Sequence, residues 1–239
     1  MKKLTPAIFF IATIAGSASC KKEVIGEGPV STEIRTVANF TGIDLQMNGN
    51  VYYKDAATWK VEVTAKQTIH PILETILSGS QLVIRYRNGK TYDEDESIRI
   101  NISGPGVNRF ELNTSGSIYV VSAIQQPSIF LRSGGSGNIL LQHVDAANID
   151  AETSVSGHIT ATGGTTQNSK LKTGGSGKID FSTVSARKVN ARIIGSGDIK
   201  VKVSDQLDAR IDGSGSVYFI GYPFVNSDIS GSGRLIHYN

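Results

Sequence analysis

From residue 113 to the end of the chain, apolar and polar residues alternate in a pattern that recurs about every 20 positions. Its marker is Ser-Gly followed two residues later by an aliphatic. The marker glycines are Gly116, Gly137, Gly157, Gly177, Gly197, Gly215 and Gly233, spaced by 21, 20, 20, 20, 18 and 18 residues. Two beyond them stand Ile118, Ile139, Ile159, Ile179, Ile199, Val217 and Leu235. The same parity is largely apolar six before each glycine and four after it, as in Leu131, Leu171, Val120 and Phe181. The positions between are polar, for example Asp150, Glu152, Lys170, Lys172, Asn190 and Arg192. Period two with branched residues on one face predicts strands rather than helices.

A fixed period in this range predicts a solenoid. Each repeat reads as strand, Gly-rich corner, strand and a connector of about five to eight residues. Twenty residues at about 3.3 Å each make about 66 Å of chain, enough to circle a small apolar core. Parallel laps about 4.8 Å apart, seven of them, give a rod of about 34 Å. A single repeat has no partner for its backbone or its apolar face, so several must stack. The two 18-residue repeats keep the strand register, so their missing residues must come from the connector. The corner glycines serve either a bend with positive φ or a close approach of neighbouring laps. Gly135, Gly175, Gly195, Gly213 and Gly231 share their parity, and the sequence leaves the two causes open. The seven marker serines face outward, as turn residues bonding nearby backbone or as a hydroxyl stripe for a ligand. Ser227 and His237 stand at inward positions of the last lap, which predicts a polar cap on the terminal coil.

Residues 33–112 are less regular. Ile43, Leu45, Gly49, Val51 and Tyr53 repeat the marker spacing, so Asn48-Gly49 reads as a degenerate first corner. Trp59 to Ala65, Gln81 to Tyr86 and Ile98 to Ser103 alternate as strands. Pro71 to Leu77 predicts one or two helical turns, with Pro near the start and Gly79 after the end. Asn88-Gly89 is a hairpin signal. This third is expected to pair with the solenoid and plug its upstream end.

Composition then narrows the setting. The charge is nearly balanced, 24 Lys+Arg against 21 Asp+Glu, which argues against a nucleic-acid binder needing a basic stripe. One Cys excludes a disulfide framework and any Cys-based metal site. Lys2 and Lys3 precede an apolar run from Ala7 to Ala18, too short for a bilayer span of about 20 residues and suited to a signal peptide. Ser17-Ala18-Ser19-Cys20 follows and resembles a bacterial lipobox, except that Ser17 stands where Leu is usual. On that reading residues 1–19 are removed, Cys20 is acylated, and the formal charge falls from +3 to +1. The alternative is an ordinary secretory signal cleaved after Ser19. Residues 20–32, with Gly26, Gly28 and Pro29, read as a tether. Residues 33–239 form one domain, irregular over 33–112 and regular over 113–239.

Phe40-Thr41-Gly42-Ile43-Asp44-Leu45, Gly49-Asn50-Val51, Gln81-Leu82-Val83-Ile84 and the recurring Ser-Gly-x-Ile together resemble the head GIN domain family. These are putative auto-transporter adhesins typical of envelope lipoproteins in the Bacteroidetes. The resemblance spans roughly residues 37–236. It implies an all-β, parallel β-helix-like fold on the cell envelope, as an outer-membrane lipoprotein, and brings no catalytic motif.

Other chemistry fails on spacing. Gly174 to Asp180 nearly matches a calcium nonapeptide, but the Asp falls one place late and the period is wrong. Gly89-Lys90-Thr91 has the tail of a phosphate loop, with Ile84 where Gly is required. No Ser has the flanking glycines of a nucleophile elbow. His70, His143, His158 and His237 share no ligand spacing and read as surface or capping residues. Tyr119 and Tyr218 face outward four repeats apart, so they form no single patch. The residues therefore point to a lipid-anchored, non-catalytic envelope protein that needs no cofactor. Its expected partners are the membrane, through the anchor, and a glycan or protein surface ligand. The alternative is a β-helix polysaccharide lyase or hydrolase, for which Asp150, Glu152, Asp180, Asp198 and Asp208 are the outward carboxylates.

Overall fold

A computed structural model of the chain describes residues 22–88, 90–92 and 98–238. The N-terminal third contributes β1 (Lys22–Glu23), β2 (Val30–Ile34), β3 (Gly42–Leu45), β4 (Asn50–Asp55) and β5 (Lys60–Lys66). It continues with β6 (Leu73–Ser78), β7 (Gln81–Tyr86), β8 (Lys90–Thr91) and β9 (Arg99–Gly104). The regular part holds β10 (Arg109–Leu112), β11 (Ser117–Ser133), β12 (Asn138–Thr153), β13 (His158–Ala161) and β14 (Gly164–Thr173). It ends with β15 (Lys178–Ile193), β16 (Ile199–Ile211), β17 (Val217–Ile220), β18 (Phe224–Ile229) and β19 (Leu235–His237). Among the described residues there is no helix, and the coils of about 20 residues stack as a parallel β-solenoid of about six turns. Seven marked corners bound six full turns.

The register follows the marker. Ile118 pairs with Ile139, Ile139 with Ile159, Ile159 with Ile179, and Ile179 with Ile199. All five are fully buried. Six before the corner, Phe110, Leu131, Ala151, Leu171, Ala191 and Ala209 form a second buried row. Large and small side chains share the space inside each row, as dense packing requires. Between β11 and β12 the ladder slips only between Val120 and Ala123. Between β15 and β16 it slips only between Phe181 and Lys188. The shortened repeats thus lose their residues from the connector side, away from the inward rows that flank the corner.

At the marker glycines the question left open is settled by crowding, whereas Gly231, two before the last of them, has a φ of 134°. None of the seven marker glycines has a positive φ. A Cβ on Gly137, Gly177, Gly197 or Gly215 would instead sit well under 3.0 Å from the carbonyl oxygen of the marker glycine one coil before. Inside the coil, Ser133 Oγ donates to the Gly137 carbonyl at 3.1 Å and Thr153 Oγ1 to that of Gly157 at 2.9 Å. These hydroxyls occupy inward positions and are almost fully buried. The marker serines lie on the exposed side, where Ser176 and Ser196 hydroxyls meet at 3.2 Å.

At the upstream end the chain order and the spatial order part. β3 and β4 form a coil whose Ile43, Leu45, Val51 and Tyr53 pair with Phe110, Leu112, Ile118 and Val120, so Gly49 is the first corner. On its other side lie β7 and β9, which come later in the chain. Antiparallel strands then close the end, β6 on β7, β5 on β9 and β2 on β5. Leu73–Leu77 is therefore a strand, not the expected helical turns. Gly79, with φ of 60°, and Ser80 join β6 to β7 by a two-residue hairpin turn, whose geometry outweighs the helical spacing of the apolar residues. The expected hairpin at Asn88-Gly89 is a turn in which Lys90 N–H donates to the Arg87 carbonyl at 3.0 Å; Gly89 itself is outside the described residues. Residues 22–32, read as a tether, are held at two places, β1 along β8 and β2 along β5. The correction has a local cause: β2 supplies the last strand of the upstream cap.

The downstream end corrects the sequence reading in the other direction. His237 stacks on Phe219 with centroids 4.9 Å apart, as a cap would. Yet Val225 and Ile229, inward by parity, are 37% and 43% exposed because no further coil covers them.

If crowding is the reason for the corner glycines, Gly197→Ala will destabilise the fold by about 1–3 kcal/mol, the usual cost of overpacking. Gly174→Ala will be nearly neutral, because a Cβ there meets nothing closer than 3.6 Å. Equilibrium denaturation of the two variants checks the contrast.

Candidate functional site

Because the coils are in register, outward residues at like positions stack into rows along the rod. Nine before the marker glycine the row reads Ser128, Asn148, Asn168, Lys188, Gln206. Seven before, it reads Phe130, Asp150, Lys170, Asn190, Asp208. A groove of about 510 Å³ follows these two rows across five coils, over the backbone of Ile129, Ile149, Ser169 and Val189. Neither row was singled out as a site from sequence. The signal was present in the constant spacing, but polarity alone did not separate a groove from a solvated face.

Amides line the groove. Asn168 Nδ2 donates to Asn148 Oδ1 on the coil before at 3.1 Å, and Gln206 Nε2 donates along its own strand to Asp208 Oδ2 at 2.8 Å; beyond the groove Asn226 Nδ2 donates to Asp208 Oδ1 at 3.3 Å. Lys170 lies 3.8 Å from Asp150. At the upstream end the Arg109 guanidinium sits 4.7 Å from the Phe130 ring centre. Beside the groove, Lys172 donates to Glu152 at 2.7 Å, with Arg132 3.7 Å away. The Lys172 hydrogen bond holds the Glu152 carboxyl below its ordinary pKa, against the opposing effect of burial. Such a surface offers amide donors and acceptors at one coil spacing, with charges of both signs close by.

The other sequence candidates fall elsewhere. Asp150 and Asp208 line the groove and Glu152 flanks it, but Asp180 and Asp198 lie past the corner, on β15 and just before β16, near Lys200 at 3.7 Å and Lys178 at 3.6 Å respectively. The five carboxylates do not converge. Tyr119 has a partner the sequence reading missed: it stacks on Tyr52 with centroids 4.9 Å apart, and Arg99 covers the Tyr52 ring at 3.8 Å. Tyr52 stands three after Gly49, as Tyr119 stands three after Gly116, so the degenerate corner carried the signal. His70 is buried rather than on the surface. Its Nε2 lies 3.1 Å from both the hydroxyl and the carbonyl of Ser31, and its Nδ1 is 3.5 Å from Glu33, which ties β2 to the turn before β6. His158 Nδ1 accepts the Lys178 N–H at 3.2 Å, and His143 faces Asp145 at 3.1 Å. Among the described residues no cluster of three metal-ligating side chains occurs. Cys20 lies outside the described residues.

Known proteins give the fold independent support. Residues 39–223 match the family described as "Putative auto-transporter adhesin, head GIN domain". A crystal structure of a putative adhesin from Bacteroides fragilis superposes with a TM-score of 0.84 at 20% identity, covering 90% of this chain and 100% of that one. A putative adhesin from Parabacteroides distasonis gives 0.76 at 20% identity, covering 91% and 100%. A putative lipid binding protein from the same organism gives 0.75 at 23% identity, covering 91% and 100%. No curated protein matches the chain.

A carboxyl with a lowered pKa in the folded state stabilises the fold above its unfolded pKa, and that contribution is lost as pH falls through the folded value. Glu152→Gln should therefore cost up to about 1 kcal/mol at pH 7, as partly exposed pairs do. The difference from wild type should shrink well below the ordinary value of 4.5. Urea midpoints of both proteins across this range check the sign.

Proposed function

Since the chain belongs to the head GIN domain family of putative auto-transporter adhesins, we propose that it is a lipid-anchored, non-catalytic protein of the cell envelope that binds through its groove. Cys20, acylated after removal of residues 1–19, supplies the anchor; two or more acyl chains hold a protein far more firmly than one. The outer membrane is the proposed site of attachment. The observation that carries the binding role is the pair of in-register outward rows, which present amide or charged groups at one coil spacing from Asn148 to Asp208. A repeated surface of this kind suits an extended ligand whose own groups repeat, and a glycan strand is the occupant proposed.

Support for a non-catalytic role over a lyase or hydrolase comes from the outward carboxylates. A glycosidase needs two carboxyl groups converging on one bond. Here Asp150, Glu152, Asp180 and Asp198 each face a lysine within 4.0 Å, on an adjacent coil. The lipid-binding name of one structural neighbour fits a membrane-linked setting for the fold. In this chain the interior is filled by the buried rows, so the proposed lipid contact is the anchor rather than the core.

Two measurements test the proposal. Cys20→Ala should move the protein from the detergent phase to the aqueous phase in Triton X-114 partition and abolish labelling by radioactive palmitate. Labelling that survives the substitution rejects the anchor. On glycan arrays, Asn168→Ala with Asn190→Ala should lower retention at least about tenfold while the melting temperature stays within a few degrees. Retention independent of both amides rejects the groove.

A further inference from the structure

We propose that the outer face of β4, β5 and β9 carries a second binding site, a cleft that takes a phosphate monoester. The site is independent of what the groove binds, since it lies on the other side of the corner and shares no lining residue with it. Its volume is about 490 Å³. Strand pairing brings its polar groups together. Ser103, an outward residue of β9, stands opposite Lys54 of β4 on one side and Lys60 of β5 on the other. With neighbouring strands about 4.8 Å apart, the two lysine stems rise about 10 Å from each other. Ser103 is small, and its hydroxyl donates to the Thr58 carbonyl at 3.3 Å, which leaves the floor between them open.

The third cation is held in place. Two residues before Ser103, Asn101 stands between Tyr52 and Glu62. Arg99, two residues earlier again, donates from Nε to Asn101 Oδ1 at 3.1 Å while its guanidinium lies 3.8 Å from the Tyr52 ring centre. Those two contacts fix the guanidinium before any ligand arrives, which lowers the ordering cost of binding. With Oδ1 engaged by Arg99, the Asn101 amide has its NH2 to donate. Glu62 is the one carboxylate among the described residues that line the cleft, and Lys60 holds it at 2.8 Å. Lys54 is exposed and forms no ion pair or hydrogen bond with any described residue.

Charge and the aromatic pair together specify the ligand. Three cations against one carboxylate leave two positive charges unmatched at a single opening. A phosphate monoester carries about −1.5 to −2 at neutral pH and three acceptor oxygens. Lys54, the free N–H groups of Arg99 and the Asn101 amide supply donors from three directions, and charge-assisted bonds to phosphate are the strong ones. An uncharged sugar is a poorer fit. Tyr52 lies between Arg99 on the β9 side and Tyr119 on the β11 side, whose ring is 4.9 Å away. Neither face of Tyr52 is left for a sugar ring to stack on. Val121, 45% exposed at the rim, gives the organic part of the ester an apolar contact.

The test is isothermal titration calorimetry of the full chain in a neutral detergent at low salt, with inorganic phosphate, glucose-6-phosphate, glucuronate and glucose as probes. Both phosphates should bind, the ester more tightly because Val121 meets its carbon skeleton, and glucose should give no heat. Lys54→Gln and Arg99→Gln should each weaken glucose-6-phosphate binding at least about tenfold, the loss expected for one charge-assisted contact. Lys54 has no partner in the fold, so a loss there reports the site and not misfolding; circular dichroism should show both variants folded. Absence of heat with either phosphate at millimolar concentration overturns the inference. So does phosphate binding indifferent to both substitutions. Glucuronate bound as tightly as glucose-6-phosphate, or free phosphate bound more tightly than the ester, also rejects a monoester site.

Discussion

Stacked backbones at the corner come closer than any side chain would permit, and everything else in the molecule is arranged around that contact. A column of glycines brings each marker carbonyl against the next coil. The buried hydroxyls of Ser133 and Thr153 then bind two of those carbonyls from inside. With the corner pinned, the residues on both sides have no freedom to change register. A slip by one position would turn the entire inward row to solvent. Loss or gain of residues is therefore confined to the connectors, where the ladder between β15 and β16 breaks and resumes.

The same constraint produces the outer surface. Because like positions lie directly above one another, a residue's nearest outward neighbours are its counterparts about 20 places away in sequence. Like charges stacked this way repel, and opposite ones attract. Part of the row five before the corner shows the attraction, with Glu152 between Arg132 and Lys172; beyond it Lys172, Arg192 and Arg210 stack with like charge, and Arg192 and Arg210 both reach Asp212. In the groove the amides of Asn148 and Asn168 bond to each other rather than to their own strands. Binding properties of such a surface belong to columns, not to single residues.

Much of this was legible in the sequence where the period was strict. The inward rows, their parity, the corner at Gly49 and the connector as the variable side all follow from spacing, since a two-residue alternation has one geometric meaning in a strand. The reading lost ground where local spacing could serve two structures. Pro71 to Leu77 fits a helical face and a hairpin arm equally well, and the tight turn at Gly79 selects the hairpin. His70 looked like a surface residue because its partners, Ser31 and Glu33, lie some 40 positions away on a strand that straddles the expected end of the tether at residue 32. The groove was invisible for a related reason: its walls come from five coils, and no single repeat contains it. Crowding and bending at the corners predict the same glycine, so only the backbone angles separate them.

The interleaving of the upstream coils bears on how the molecule assembles. The segment holding β3 and β4 lies between a later hairpin region and the first regular winding. A thread wound in one direction could not reach this arrangement. Residues 42–55 can find both neighbours only after the chain has been made past residue 120, so their burial waits on contacts of long sequence separation. Non-local pairing of this kind slows folding. The regular windings, each built on its predecessor, need no such delay. A chain emerging in order must therefore carry its first apolar strands unprotected until the middle has arrived.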